Sequence, residues 1–130
     1  INKMKETLAR FQNGVALAAP QIGVNLRLFV ISENVILEEG LRVDKFVYIN
    51  PVITKVSRKR NILEEGCLSA NNLYGLISRA DKVVFTAYDE RGEKFSRGAG
   101  GLLAEIFQHE TDHLDGKLFI DRAKDLRYVP

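Results

Sequence analysis

The only two histidines of this 130-residue chain, His109 and His113, stand four positions apart in the run Gln108-His109-Glu110-Thr111-Asp112-His113. On a helix that spacing sets two side chains roughly 40° apart around the axis, so both imidazoles can reach one ion. Glu110 projects beside them from the same helix. A carboxylate there, outside the coordination shell, can hold a water activated by the ion and carry its proton. Two histidines decorating a polar face would be the alternative, but the surrounding helix is otherwise apolar and holds every imidazole in the chain. A hydrolytic metal site is the expectation.

Such a site takes three protein ligands and keeps one position for water. His-Glu-x-x-His by itself suggests a zinc endopeptidase with a downstream ligand, yet no histidine follows His113, and Asp115, Asp121 and Asp125 read as ordinary surface residues. The single cysteine is another answer. Cys67 lies in Glu64-Glu65-Gly66-Cys67-Leu68-Ser69 after strand-like residues, with a glycine beside it that permits close backbone approach. It cannot form an internal disulfide, and a thiolate with two imidazoles suits a divalent transition metal. A purely structural metal would need a fourth protein ligand, for which the sequence offers no obvious candidate.

The elements that carry these groups follow from periodicity and turn chemistry. Met4, Leu8 and Phe11 recur at helical spacing from Asn2 to Asn13, with Gly14 placed as a C-terminal cap. Val15 to Gly23, with Pro20, reads as a tight extended segment. Leu26 to Ile31 and Lys45 to Ile49 read as strands, the second ending at Asn50-Pro51, with a polar loop between them. Lys82 to Tyr88 and Glu93 to Ser96 flank Asp89-Glu90-Arg91-Gly92 as a hairpin, and Gly98 to Gly101 breaks the pattern. Leu102 to Asp115 reads as a helix buried over much of its girth and stopped by Gly116. The fold class is α+β, antiparallel strands packed around a central metal-binding helix, in a single compact domain over residues 1–130. Glu65 and Arg79 are expected to pair in the interior and brace the cysteine segment.

The composition agrees. A chain of this length with 45% hydrophobic residues can bury one core. Its 19 basic and 17 acidic residues are dispersed, and the cluster Lys55, Arg58, Lys59, Arg60 reads as a solvated face, so no specific nucleic-acid recognition is expected. No stretch approaches the roughly 20 apolar residues of a membrane span, and the start lacks a secretory signal, so a soluble intracellular protein without a membrane partner is expected. Because Ile1 already lies inside a helical pattern, a preceding N-terminal segment is expected.

Three runs, taken together, resemble the signature motifs of the peptide deformylase family in that family's order. They are Gly14-Val15-Ala16-Leu17-Ala18-Ala19-Pro20-Gln21, Glu65-Gly66-Cys67-Leu68-Ser69 and Gln108-His109-Glu110-Thr111-Asp112-His113-Leu114. The likeness extends from the first helix through Ile120, including Ile49-Asn50-Pro51 and the hairpin. It implies a cytoplasmic enzyme, or one in an organelle of bacterial origin, that hydrolyses the N-formyl group from the formyl-methionine of nascent polypeptides and releases formate. N-formyl-methionyl peptides would be its substrate, with transient association at the ribosome.

By the same resemblance Cys67, His109 and His113 hold one divalent metal ion, ferrous iron in cells, with zinc, nickel or cobalt as substitutes. Glu110 would be the general acid/base, and Gln21 and the backbone N–H of Leu68 the oxyanion donors. The peptide would lie against Gly14, Val15 and Ala16 on one side and Glu65 and Gly66 on the other. Val15, Leu102 and Ile106 would line the methionine pocket, with Tyr74 at its mouth. Two positions depart from the family pattern, which has glycine where this chain has Ala16 and proline where it reads Ala70-Asn71-Asn72. Both bear on substrate affinity, and they make a deformylase-like metal protein with weak or altered activity the alternative, beside the zinc endopeptidase.

Overall fold

The computed structural model describes residues 2–9, 16–32, 46–67, 70–117 and 123–128. Helix α1 (Asn2–Ala9) precedes β1 (Ala16–Ala18), a 3₁₀ turn (Ala19–Ile22) and β2 (Leu28–Ile31). Then come β3 (Val47–Val56), β4 (Arg60–Cys67), β5 (Ala70–Ala80), β6 (Lys82–Tyr88), β7 (Lys94–Gly100), α2 (Gly101–Leu114) and β8 (Lys124–Tyr128). All strand pairs are antiparallel. They form a five-stranded sheet in the order β1-β2-β3-β6-β7 and a three-stranded sheet in the order β4-β5-β8. This is the expected α+β arrangement, a single domain with antiparallel strands around one main helix.

Phe107 seats that helix. Its ring stacks on Phe85 with centroids 3.4 Å apart and meets Phe29 and Tyr48 edge-on at 4.9 and 4.8 Å. All four side chains are fully buried, so these aromatic contacts hold α2 against β2, β3 and β6. His109, two residues on, lies roughly 200° further round the axis and is thereby turned away from the five-stranded sheet. A second cluster of Met4, Leu17, Ala19, Leu28, Val30 and Val47 packs α1 onto β1, β2 and β3.

Both ends of α2 are set by glycine. Gly101 takes φ +56°, so β7 passes straight into the helix. The expected break at Gly98 is absent, because Gly98 and Gly100 pair with Val84 and Lys82 as ordinary strand residues. At the other end Gly116 stops the helix as expected, at φ +73°. Its N–H donates to His113 O at 3.1 Å, while Lys117 N–H donates to Asp112 O at 2.9 Å, the paired bonds of a Schellman cap. Arg27 donates to Leu114 O and to the Asp115 carboxylate, which ties the last turn of α2 to the residue that precedes β2.

The strand reading is corrected in two places. The strand expected to end at Asn50-Pro51 runs on to Val56. Its register against β6 shifts between Ile49 and Val52, so the proline, which has no N–H for a ladder, sits at an irregularity that Asn50 opens with φ +49°. Strands β5 and β8 were not foreseen. Asn71, Asn72 and Gly75 obscure the pattern of β5, and Gly75 is what lets β8 close in: a Cβ there would meet Leu126 at 2.8 Å and Ala123 at 2.9 Å. The first helix matches its expected start and is described to Ala9; positions 10–13, with Gly14 and Val15, lie outside the described residues. The Asp89–Gly92 turn is as expected, with the Asp89 carboxylate accepting from the N–H of Arg91 and Glu93.

Candidate metal centre

His109 and His113 occupy successive turns of α2, and their Nε2 atoms face each other at 3.0 Å. Nδ1 of His109 lies 2.7 Å from Glu65 Oε1. With Glu65 ionised, that nitrogen carries the hydrogen and donates it, which leaves the Nε2 lone pair directed at the point His113 also faces. The carboxylate of Glu110 completes a group whose candidate ligand atoms all lie within 4.8 Å of one another. Glu110 is 5% exposed, and its Oε2 has no hydrogen-bond partner among the described residues. Two converging imidazole nitrogens beside an unpartnered buried carboxyl oxygen fit a divalent ion and its water.

Electrostatics sharpen the division of labour. Burial pushes the Glu110 carboxyl up to about 7, partly offset by the charge of His109. Burial, then the charge of His109, pushes the His113 imidazole down to about 4. Burial opposes the charge on His109 too, but its hydrogen bond with Glu65 and the charge of Glu110 outweigh this and raise its pKa. Burial likewise opposes ionisation of Glu65, yet hydrogen bonds with His109, Arg79 and Glu105 hold it down at about 2.

Glu65 and Arg79 form the expected interior pair. Nε and Nη2 of Arg79 reach the two Glu65 oxygens at 3.1 and 2.9 Å. Nη1 turns the other way, to Asp112 Oδ2 at 2.6 Å. Arg79 thus ties β4, β5 and α2 together behind His109.

Gln21 sits at the end of the 3₁₀ turn, where its Oε1 accepts the N–H of Ala18 at 2.8 Å. A backbone N–H can only donate to the oxygen of the amide, which fixes which way round the Gln21 amide is turned. Ala16 is 6% exposed and belongs to the core cluster that includes Ile31 and Ile106; Leu102 packs against the same cluster half-buried. On α2, Leu102, Ile106, His109 and His113 share one side. Gly66 lies under the Tyr74 ring, since a Cβ there would meet that ring at 2.6 Å, and Tyr74 itself remains 37% exposed. Cys67 is the last residue of β4, its backbone paired with Ala70. Its side chain, and all of Leu68, lie outside the described residues.

Gln108, Asp112 and Glu105 had no role assigned in the sequence reading. Gln108 is 8% exposed and its amide clasps Ala80, accepting from its N–H at 2.8 Å and donating to its carbonyl at 2.9 Å. Nothing local in the sequence signals this, because Ala80 is 28 residues away. Replacing Gln108 with leucine strands both backbone groups, so the metal-free protein is expected to lose about 2 kcal/mol in urea unfolding. A loss below about 0.5 kcal/mol would show that the clasp is dispensable.

A family model described as polypeptide deformylase matches residues 1–128. A peptide deformylase of Karelsulcia muelleri is 43% identical over 121 residues, covering 93% of this chain and 62% of that protein. One of Treponema pallidum is 42% identical over 118 residues, covering 91% and 68%. The chain spans about half or less of the plant relatives it matches, 46% of one from Arabidopsis thaliana and 40% of one from Oryza sativa. Among solved structures, that of the Thermotoga maritima peptide deformylase superposes with a TM-score of 0.83 at 35% identity, covering 95% of this chain and 78% of that one. The Legionella pneumophila enzyme gives 0.80 at 44% identity, covering 95% and 69%.

Proposed function

This chain belongs to the polypeptide deformylase family, and from that premise we propose that it hydrolyses the N-formyl group of formyl-methionyl peptides with the help of one metal ion. The observation that carries the reading is Glu110, a carboxyl group sealed beside two converging imidazoles and held near neutrality by burial. A group with that pKa can accept a proton and return it at neutral pH.

In this reading Cys67, His109 and His113 hold the ion. The bound ion supplies Lewis acidity and makes water a usable nucleophile near neutral pH. Glu110 takes the proton of the attacking water and delivers it to the leaving amine nitrogen. Gln21 donates its NH₂ to the formyl oxygen as charge develops there, joined by the N–H of Leu68. The peptide lies beside β1, an edge strand of its sheet, whose outer backbone groups suit pairing with an extended chain. Gly14, Val15 and Ala16 line one side of it, and Glu65 and Gly66 the other. Ile106 and Leu102, one and two turns before His109, line the methionine pocket with Val15, and Tyr74 stands at its mouth.

Ferrous iron is the proposed ion, with zinc, nickel and cobalt as working substitutes, because this donor set does not choose among them by ligand type. Newly made formylated chains at the ribosome are the proposed partners. The proposed compartment is the cytoplasm or an organelle of bacterial origin; among the described residues no helix is long and apolar enough to cross a membrane.

Formate release from a formyl-Met tripeptide, followed anaerobically with each metal, tests the activity. Internal cleavage of peptides without formate would support an endopeptidase instead. Cys67→Ala is expected to bind less than about a tenth of the wild-type metal, read by elemental analysis; full metal content in that variant would exclude Cys67 from the ligand set. Gln21→Leu should keep its metal while kcat falls by about 10²–10³ with little change in KM, as for a donor used mainly in the transition state. An unchanged kcat would remove Gln21 from the oxyanion site.

A further inference from the structure

The basic run Lys55, Arg58, Lys59, Arg60 has no part in the proposed chemistry, and the fold enlarges it. The turn between β3 and β4 is stitched to the turn between β5 and β6. Ser57 N–H donates to Lys82 O at 2.9 Å, and Lys82 N–H returns a bond to Ser57 Oγ at 3.0 Å. Asp81 N–H donates to Lys59 O at 3.0 Å, and the Ser57 hydroxyl donates to the same carbonyl at 2.9 Å. Lys82 is thereby fixed beside a cluster far from it along the chain, and all five cations are exposed.

Strand register shows how they are arrayed. Lys55 pairs with Val84 and Val84 with Gly98, while Lys82 pairs with Gly100. Paired residues share a face of a sheet, as do residues two apart on one strand, so Lys55 and Lys82 stand on the same face. A groove of about 480 Å³ runs there, and its lining includes both lysines, Val56 and Gly98. Little opposes the charge. Among the described residues Lys55, Arg58, Lys59 and Lys82 form no ion pair, and Arg60 donates to the hydroxyl and carbonyl of Ser78. Asp81, the acid within the two turns, is half-buried and accepts from Asn61 Nδ2 at 2.9 Å. The whole chain carries a net charge of only +2, so without these five cations it would be net negative.

We propose that this end of the molecule is a docking surface for the phosphate backbone of RNA, contacted by Lys55, Arg58, Lys59, Arg60 and Lys82 without readout of sequence. Five converging cations on a chain that is otherwise net negative fit a partner with closely repeated anionic charge. Phosphodiesters supply it, and ammonium and guanidinium groups are their usual donors. A lipid surface would also take apolar and aromatic side chains reaching into it, whereas this patch exposes only Val56 among large apolar groups. The choice of RNA over DNA rests on the proposed function, whose substrate is a chain newly made on an RNA template.

Binding of a fluorescently labelled RNA hairpin is followed by anisotropy between about 50 and 200 mM salt. Five phosphate contacts predict a slope of about −4 for log K against log salt concentration. Lys82→Ala is expected to reduce that slope by about 1 and weaken binding about three- to tenfold, while Lys82→Arg keeps both. The triple variant K55A/K59A/K82A should bind at least about 100-fold more weakly, with the urea midpoint and the formate release of wild type. Lys94→Ala, at the opposite end of β7, should bind as wild type does. Wild type that does not bind the hairpin, Lys82→Ala that binds unchanged, or Lys94→Ala as impaired as Lys82→Ala would each overturn the proposal. So would tighter binding to a DNA hairpin of the same sequence, or to vesicles of phosphatidylcholine and phosphatidylserine. The expected RNA pattern in a protein that releases no formate would sink the deformylase reading and leave the surface standing. Formate release without RNA binding would do the reverse.

Discussion

Glu110→Ala is expected to keep its metal and lose about 10²–10⁴ in kcat/KM on a formyl-Met tripeptide, the usual worth of a positioned proton carrier. The physical ground is the placement of the carboxyl group. Its Oε2 is buried without a hydrogen-bond partner among the described residues, and burial holds the group at about 7. A side chain serving stability alone would not be left so, since an unsatisfied buried polar atom costs about 1–3 kcal/mol. The same fact predicts effects of opposite sign. Glu110→Leu, close in volume, should make the metal-free protein at least as stable as wild type while abolishing turnover. Elemental analysis, urea unfolding and formate release on one set of samples check all three. Loss of metal in Glu110→Ala would recast Glu110 as a ligand, and retained activity would remove it from the chemistry.

Arg79→Met carries the largest expected cost in stability, about 3–5 kcal/mol for the metal-free protein. Arg79 and Glu65 are 3% and 7% exposed, and Asp112 shares the same guanidinium. Methionine fills much of the arginine's length but leaves the Glu65 carboxylate in the interior with its main counter-charge gone. The penalty is that of a stranded charge rather than a lost attraction, so the double variant Glu65→Gln, Arg79→Met should be more stable than Arg79→Met alone. Urea midpoints for the four proteins of the cycle give the answer. A cost below about 1 kcal/mol for Arg79→Met, or a double variant worse than the single one by the full cost of Glu65→Gln, would show that the pair is not held as a buried unit.

The metal-binding pattern was legible because it is local. Four-residue spacing on a helix brings His109 and His113 together whatever surrounds them, and helical periodicity needs only the neighbouring residues to be read. The same holds for the Asp89–Gly92 turn and the Gly116 stop, where one residue's backbone preference decides the outcome. The motifs at 14–21, 65–69 and 108–114 extended that reach to long range only through resemblance to a family.

What the tertiary structure decided is every relation between groups distant along the chain. Strand β5 is masked in the sequence by Asn71, Asn72 and Gly75, because strand formation depends on pairing partners more than on intrinsic preference. Pro51 ended a strand on propensity, yet the ladder with β6 absorbs it at an irregularity. The partner of Arg79 could be guessed, but the division of its guanidinium between Glu65 and Asp112 depends on where α2 lies against β5. Gln108 and Asp112 stand in the motif at 108–114 with no stated task. Their roles arise because the aromatic seat of Phe107 turns one side of α2 toward β4 and β5, and that rotation is set by packing rather than by the helix's own residues.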